Sequence, residues 1–127
     1  MARVLVIEDD DTLLTAYCFA FEAAGYVVDR ASRGEDGMQL TIANHPDIIL
    51  LDMLLFNESG LGFLRQLRQT PEVNDTKVIL FTNLEYDDSI KAAQDIGIAG
   101  YLVKSQTSPK EAVAIVDHLL SDETKPL

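Results

Sequence analysis

The sequence has little cysteine, little positive charge and no long apolar run, and each shortage excludes something. Cys18 is the only cysteine, so no disulfide can close within the chain. It falls in a helical pattern with Leu14 and Phe21, which reads as a small core residue rather than a nucleophile. Lysine and arginine number 10 against 21 aspartates and glutamates, a formal net charge of −11. That balance argues against nucleic-acid backbones and anionic membranes as direct partners. It names no partner, because acidity is also how many proteins stay soluble. The apolar run at residues 4–7 is followed at once by four acids, which is no signal peptide. No stretch approaches the ~20 apolar residues of a membrane span. His45 and His118 have no ligand-spaced partners and read as structural or solvent-facing. Repeats and low-complexity segments are absent as well. The expectation is a cytoplasmic protein of one domain over residues 1–121, with a short polar tail at 122–127.

What the chain does have is a set of apolar runs that end on polar side chains. The run Pro46-Asp47-Ile48-Ile49-Leu50-Leu51-Asp52-Met53-Leu54-Leu55 reads as a strand covered on both faces. Asp is disfavoured in strands and rarely buried unpaired. Asp52 therefore marks the edge where the chain leaves the core, or it has a partner that makes its charge tolerable. Further strands are expected at residues 4–7, 26–29, 77–81 and 101–103. Between them lie helical patterns. Asp10 and Asp11 cap the first helix, which runs through Leu13, Leu14, Tyr17, Cys18 and Phe21 to a stop at Gly25. Ser32-Arg33-Gly34-Glu35 reads as a capping box opening the second, with Met38, Ile42 and Ala43 inward. The third spans residues 61–69 after a polar loop at 56–60, with Leu64, Leu67 and Arg68 at helical spacing. The fourth spans 87–96, and Ser108-Pro109-Lys110-Glu111 opens the fifth. Strand and helix thus alternate five times. This predicts an α/β fold: a doubly wound, five-stranded parallel sheet of flavodoxin-like order 2-1-3-4-5 with five helices.

In such a sheet, ligands bind where strand order reverses, at the carboxyl ends of strands one and three. Glu8 and Asp9 end strand one and Asp52 ends strand three. Three carboxylates at one edge repel unless a cation joins them. Oxygen ligands supplied by few protein groups suit Mg2+. Thr82 and Lys104 arrive at the same edge from strands four and five. A hydroxyl and an ammonium beside a metal and an acid would stabilise a transferring phosphoryl group, with Asp52 as nucleophile.

The pieces Val4-Leu5-Val6-Ile7-Glu8-Asp9, Ile49-Leu50-Leu51-Asp52-Met53, Val78-Ile79-Leu80-Phe81-Thr82 and Ala99-Gly100-Tyr101-Leu102-Val103-Lys104 resemble, in order, the receiver domain of two-component response regulators. The resemblance covers residues 2–121 and is closest in architecture to the chemotaxis-type single-domain (CheY-like) regulators. It implies a phosphorylation-activated switch that takes a phosphoryl group onto Asp52 from a sensor histidine kinase or a histidine phosphotransfer protein, with Mg2+. A downstream protein target would follow, and no catalysis beyond the domain's own phosphotransfer and dephosphorylation. By the same resemblance Asp9, Asp52 and the backbone oxygen of Leu54 bind the metal, and Glu8 acts through water. Lys104 and Thr82 contact phosphoryl oxygens, and Tyr101 is the aromatic that turns inward as the Thr82 hydroxyl moves. Three positions depart from the pattern: Phe56 for Pro, Asn83 for a small residue, and Ser105 for the Pro after the lysine. The Lys104–Ser105 peptide is expected to be trans, since a cis bond costs about 2.5–4 kcal/mol without proline.

Two other classes of protein share parts of this pattern. A haloacid-dehalogenase-type phosphatase would place Asp where Glu8 stands in Glu8-Asp9-Asp10-Asp11-Thr12, and would carry a cap domain. A pseudo-receiver, an interaction module that takes no phosphate, is opposed by the full set Asp9, Asp52, Thr82 and Lys104.

Overall fold

The computed structural model describes residues 2–55, 58–83 and 88–124. Its main sheet has five parallel strands: β1 (Arg3–Ile7), β2 (Val27–Ala31), β3 (Ile48–Asp52), β4 (Lys77–Thr82) and β5 (Gly100–Val103). They lie in the order β2-β1-β3-β4-β5. Five α-helices alternate with them: α1 (Asp11–Ala23), α2 (Gly34–Asn44), α3 (Gly60–Arg68), α4 (Asp88–Ile96) and α5 (Pro109–Thr124). None of the described helices is long and apolar enough to cross a membrane.

The period of two along each strand divides the core in half. Leu5, Ile7, Ile49, Leu51, Val78 and Leu80 face Met38 of α2, Phe63, Leu64 and Leu67 of α3, and Ala93 of α4. Val4, Val6, Ile48, Leu50, Ile79 and Phe81 face Leu14, Tyr17, Cys18 and Phe21 of α1 and Ala112, Val113 and Val116 of α5. With each such side chain contributing about 1.5–3 kcal/mol on burial, the central strands hold the fold and fix its register.

Helix ends follow local chemistry at two of the expected places. The Asp10 carboxylate accepts from the Leu13 N–H at 3.0 Å. At α5, Ser108 and Glu111 form the reciprocal box, Glu111 N–H to Ser108 Oγ at 3.1 Å and Ser108 N–H to Glu111 Oε1 at 2.9 Å. Hydrogen bonding to Ser108 also holds the Glu111 carboxyl below its ordinary pKa.

Elsewhere tertiary packing overrides the local signal. The expected box at residues 32–35 does not form: Arg33 is the N-cap of α2 and makes no side-chain cap bond. The cause is Gly37, where a Cβ would stand 2.5 Å from Ile7 Cδ1. To seat that glycine on β1 the helix buries Gly34, Gly37, Met38 and Thr41. Ile42 is left 41 % exposed, and Ala43 is exposed too, against expectation. β2 runs to Ala31 because it pairs with all of β1, from Arg3–Val27 to Ile7–Ala31. Part of the expected loop at 56–60 is a short antiparallel ladder, Leu54–Leu55 against Glu58–Ser59. Phe56 itself lies outside the described residues. α5 continues to Thr124, past the expected boundary at 121.

Candidate functional site

The registers Ile7–Leu51, Asp52–Phe81 and Thr82–Val103 bring the carboxyl ends of β1, β3, β4 and β5 to one edge. Glu8 leaves β1 with its N–H bonded to the Ala31 carbonyl at 3.0 Å, and its side chain is 0 % exposed. Asp9 is exposed, and its N–H donates to Glu8 Oε2 at 3.1 Å. Asp52 closes β3 at 3 % exposure, and Thr82, closing β4, is as deeply buried. One carboxylate oxygen from each of Glu8, Asp9 and Asp52 lies within 4.8 Å of the others.

Lys104 follows β5 directly and opens a short 3-10 turn over Lys104–Gln106. Its Nζ lies 2.6 Å from Glu8 Oε1 and 3.3 Å from Asp52 Oδ1. It also sits 4.8 Å from the centroid of the Phe81 ring. No peptide bond among the described residues is cis. Lys104–Ser105 is therefore trans, as expected, and the lysine still reaches the acids. Asn83 and Ser105, two of the departures, are exposed.

The acids outnumber the one cation, and the balance shows in Glu8. Its pKa is pushed up to about 8, first by burial and then by its hydrogen bond with Asp52. Lys104 pulls the other way and does not compensate. The edge is thus short of positive charge. Its carboxylate donors are all oxygen, two buried and one exposed, which is the chemistry that suits a hard divalent cation. The cluster of Glu8, Asp9 and Asp52 is compatible with binding a divalent metal ion.

The backbone after Asp52 is held by a close approach. Gly60 N–H donates to the Met53 carbonyl at 2.9 Å. A Cβ on Gly60 would stand 2.7 Å from the Asp52 carbonyl oxygen and 3.0 Å from Met53 Cα. Only glycine brings the start of α3 so near the Asp52 turn.

Glu8, Asp9, Asp52 and Lys104 thus meet as expected, with Thr82 at the same edge. Tyr101 does not join them. It lies opposite Leu80 in β5, half-buried against the half-core formed with α2, α3 and α4. Leu54 opens the short ladder two residues beyond Asp52. Sequence reasoning placed Phe81 and Gly60 only as strand and loop residues. The one signal the sequence carries for Phe81 is its place directly before Thr82 at the strand end.

Fold and site together define a doubly wound domain with an acidic switch-point pocket and an attendant lysine. The profile of the response regulator receiver domain matches residues 4–117, and the chain belongs to that family: it is a receiver domain of a two-component response regulator. Transcriptional regulatory protein AfsQ1 of Streptomyces coelicolor is 34% identical over 104 residues, 82% of this chain and 45% of that protein. The chain spans about half the length of the curated relatives it matches. Among solved structures, a putative response regulator from Chloroflexus aurantiacus superposes with a TM-score of 0.84 at 29% identity, covering 94% of this chain and 98% of that one. Chemotaxis protein CheY4 of Vibrio cholerae shares the fold, with a TM-score of 0.86 at 21% identity over 93% of this chain and 98% of that one.

Proposed function

We propose that this receiver domain is a phosphorylation-driven switch, with Asp52 the phosphoryl acceptor and Mg2+ held by Asp9, Asp52 and the Leu54 carbonyl. The observation that carries this reading is the meeting of buried Asp52 with Glu8, Asp9 and Lys104, whose ammonium lies 3.3 Å from Asp52 Oδ1. The donor is the phosphohistidine of a histidine kinase or phosphotransfer protein. A carboxylate oxygen of Asp52 forms the new bond to phosphorus as the P–N bond to the donor imidazole breaks, its electron pair returning to nitrogen. Lys104 and Thr82 donate to the phosphoryl oxygens where charge is spread in the transition state. Bound Mg2+ would supply neutralising charge to that phosphoryl group. Glu8 acts through water and holds Lys104 at the edge until the phosphoryl group arrives. In the return reaction a water oxygen attacks phosphorus and the P–O bond to Asp52 breaks. Phosphate leaves, the carboxylate is restored and the water's proton passes to solvent.

The domain turns over no external substrate and acts in the cytoplasm. Its output is a protein partner recruited by β5 and its flanking helices, where half-buried Tyr101 answers a shift of Thr82. The net charge of −11 supports a protein target over direct contact of this domain with nucleic acid.

Incubation with a small phosphodonor and Mg2+, followed by intact-mass measurement, tests the reading. One added phosphoryl group is expected in the wild type and none in Asp52→Asn. Uptake by Asp52→Asn at the wild-type rate refutes it.

A further inference from the structure

Lys104 is long and costly to order, because fixing such a side chain forfeits its rotamer freedom. Its two carboxylate contacts, at 2.6 and 3.3 Å, change in any reaction that places a new anion at Asp52. One contact does not depend on the charge of those acids. The ammonium sits 4.8 Å from the centroid of the Phe81 ring, whose electron-rich face attracts a cation. The ring is itself held. Tyr17 packs edge-on against it, centroids 4.4 Å apart and planes at 67°. The Tyr17 hydroxyl then donates to the Thr107 carbonyl at 2.9 Å, at the end of the 3-10 turn that Lys104 opens. The ring beneath the lysine and the turn that carries it are tied to one residue of α1.

We propose that Phe81, braced by Tyr17, is a positioning residue that holds the Lys104 ammonium at the height needed to meet a phosphoryl group on Asp52. Ser105 is exposed and its trans peptide leaves the lysine's direction to be set elsewhere. The Lys104–Phe81–Tyr17–Thr107 circuit sets it. An apolar core residue at position 81 would need only its volume, whereas this role needs the ring's electrons. The inference rests on the reading of Asp52 as acceptor.

The test keeps shape and varies the ring. Phe81 is replaced by mono-, di- and trifluorinated phenylalanine and, separately, by leucine (Phe81→Leu). Phosphoryl uptake from phosphoramidate with Mg2+ is then measured over donor concentration, and the Lys104 methylene protons are followed by NMR. In the wild type those protons are expected upfield, shielded by the ring face, and Phe81→Leu returns them to ordinary positions. The maximal rate is expected to fall stepwise with fluorination and by about 5- to 30-fold in Phe81→Leu, the size of a desolvated cation–ring contact, with the donor KM unchanged. Freeing the turn with Tyr17→Phe is expected to lower the rate less. A flat rate across the fluorinated series, or unshielded Lys104 protons in the wild type, overturns the positioning role even if Phe81→Leu fails to fold. No uptake by the wild type refutes instead the acceptor reading, and the role falls with it.

Discussion

Arg68 offers a test of what ties the halves of the α3–α4 layer together. It lies at the last position of α3, yet its guanidinium reaches three carbonyls in two backbone segments. It donates to the Asn74 carbonyl at 3.0 Å, to Thr76 at 2.6 Å, and to Gly97 from two nitrogens at 2.8 and 3.3 Å. The segment leading into β4 and the end of α4 are thereby pinned to α3. Burial lowers the arginine's pKa, with Asp75 opposing, so the charge is held at some cost and serves these carbonyls. Arg68→Met keeps the stem and removes the fork. A charge-assisted bond is worth about 1.5–3 kcal/mol where buried, but Arg68 is half-exposed and water can reach the Asn74 carbonyl. Counting the Thr76 and Gly97 contacts at the lower figure gives a loss of about 2–4 kcal/mol. For a domain of this size that is a fall in Tm of roughly 7–15 °C. Arg68→Lys should fall between, since one ammonium cannot span three carbonyls. Thermal and urea unfolding followed by circular dichroism would measure it. Unfolding of Arg68→Met within about 0.5 kcal/mol of wild type would refute the reasoning, because water would then serve the carbonyls as well as the guanidinium does.

Gly60→Ala should gain up to about 1 kcal/mol of helix propensity but lose more to its contacts with the Asp52 carbonyl at 2.7 Å and Met53 Cα at 3.0 Å. A net destabilisation of roughly 1–2 kcal/mol is expected, with slower phosphoryl uptake, and an unchanged or higher Tm would show that the loop yields freely. Glu8 predicts a pH dependence for the metal-free protein. Its folded pKa is raised to about 8 from 4.5, so its contribution is fully present below the unfolded value and is lost as pH rises through the folded one. Urea unfolding in chelator should show stability declining across that window, and Glu8→Gln should flatten the decline; equal slopes in both proteins would remove Glu8 as its source.

The fold was legible because short apolar runs alternate with helical patterns along the chain, and because caps such as Asp10 and the Ser108–Glu111 pair act within a few residues of themselves. Parallel pairing followed from the alternation of strand and helix, since a parallel sheet needs a crossover between neighbours, and the order 2-1-3-4-5 from the flavodoxin-like arrangement of five such strands. The rotation of α2 was not legible, because it is set by Gly37 against Ile7, a contact across thirty residues of sequence. Arg68 was visible only as a charge on an apolar stripe, and its carbonyl partners are fixed by where α4 ends.

The site divides the same way. Each of Glu8, Asp9, Asp52, Thr82 and Lys104 stands at or just past a strand end, so topology alone carries them to one edge. Topology does not decide which acid the lysine meets. Lys104 is closer to Glu8 than to Asp52, 2.6 against 3.3 Å, and both of these acids are folded inward while Asp9 turns out. Burial, and then its hydrogen bond with Asp52, disfavour the charged form of Glu8 in that space. On the proposed reading, a cation held at Asp9 and Asp52 would favour the charged form of Glu8 and keep the lysine at that edge. The Glu8–Lys104 pair, 2.6 Å apart, depends on side-chain burial that no local pattern encodes.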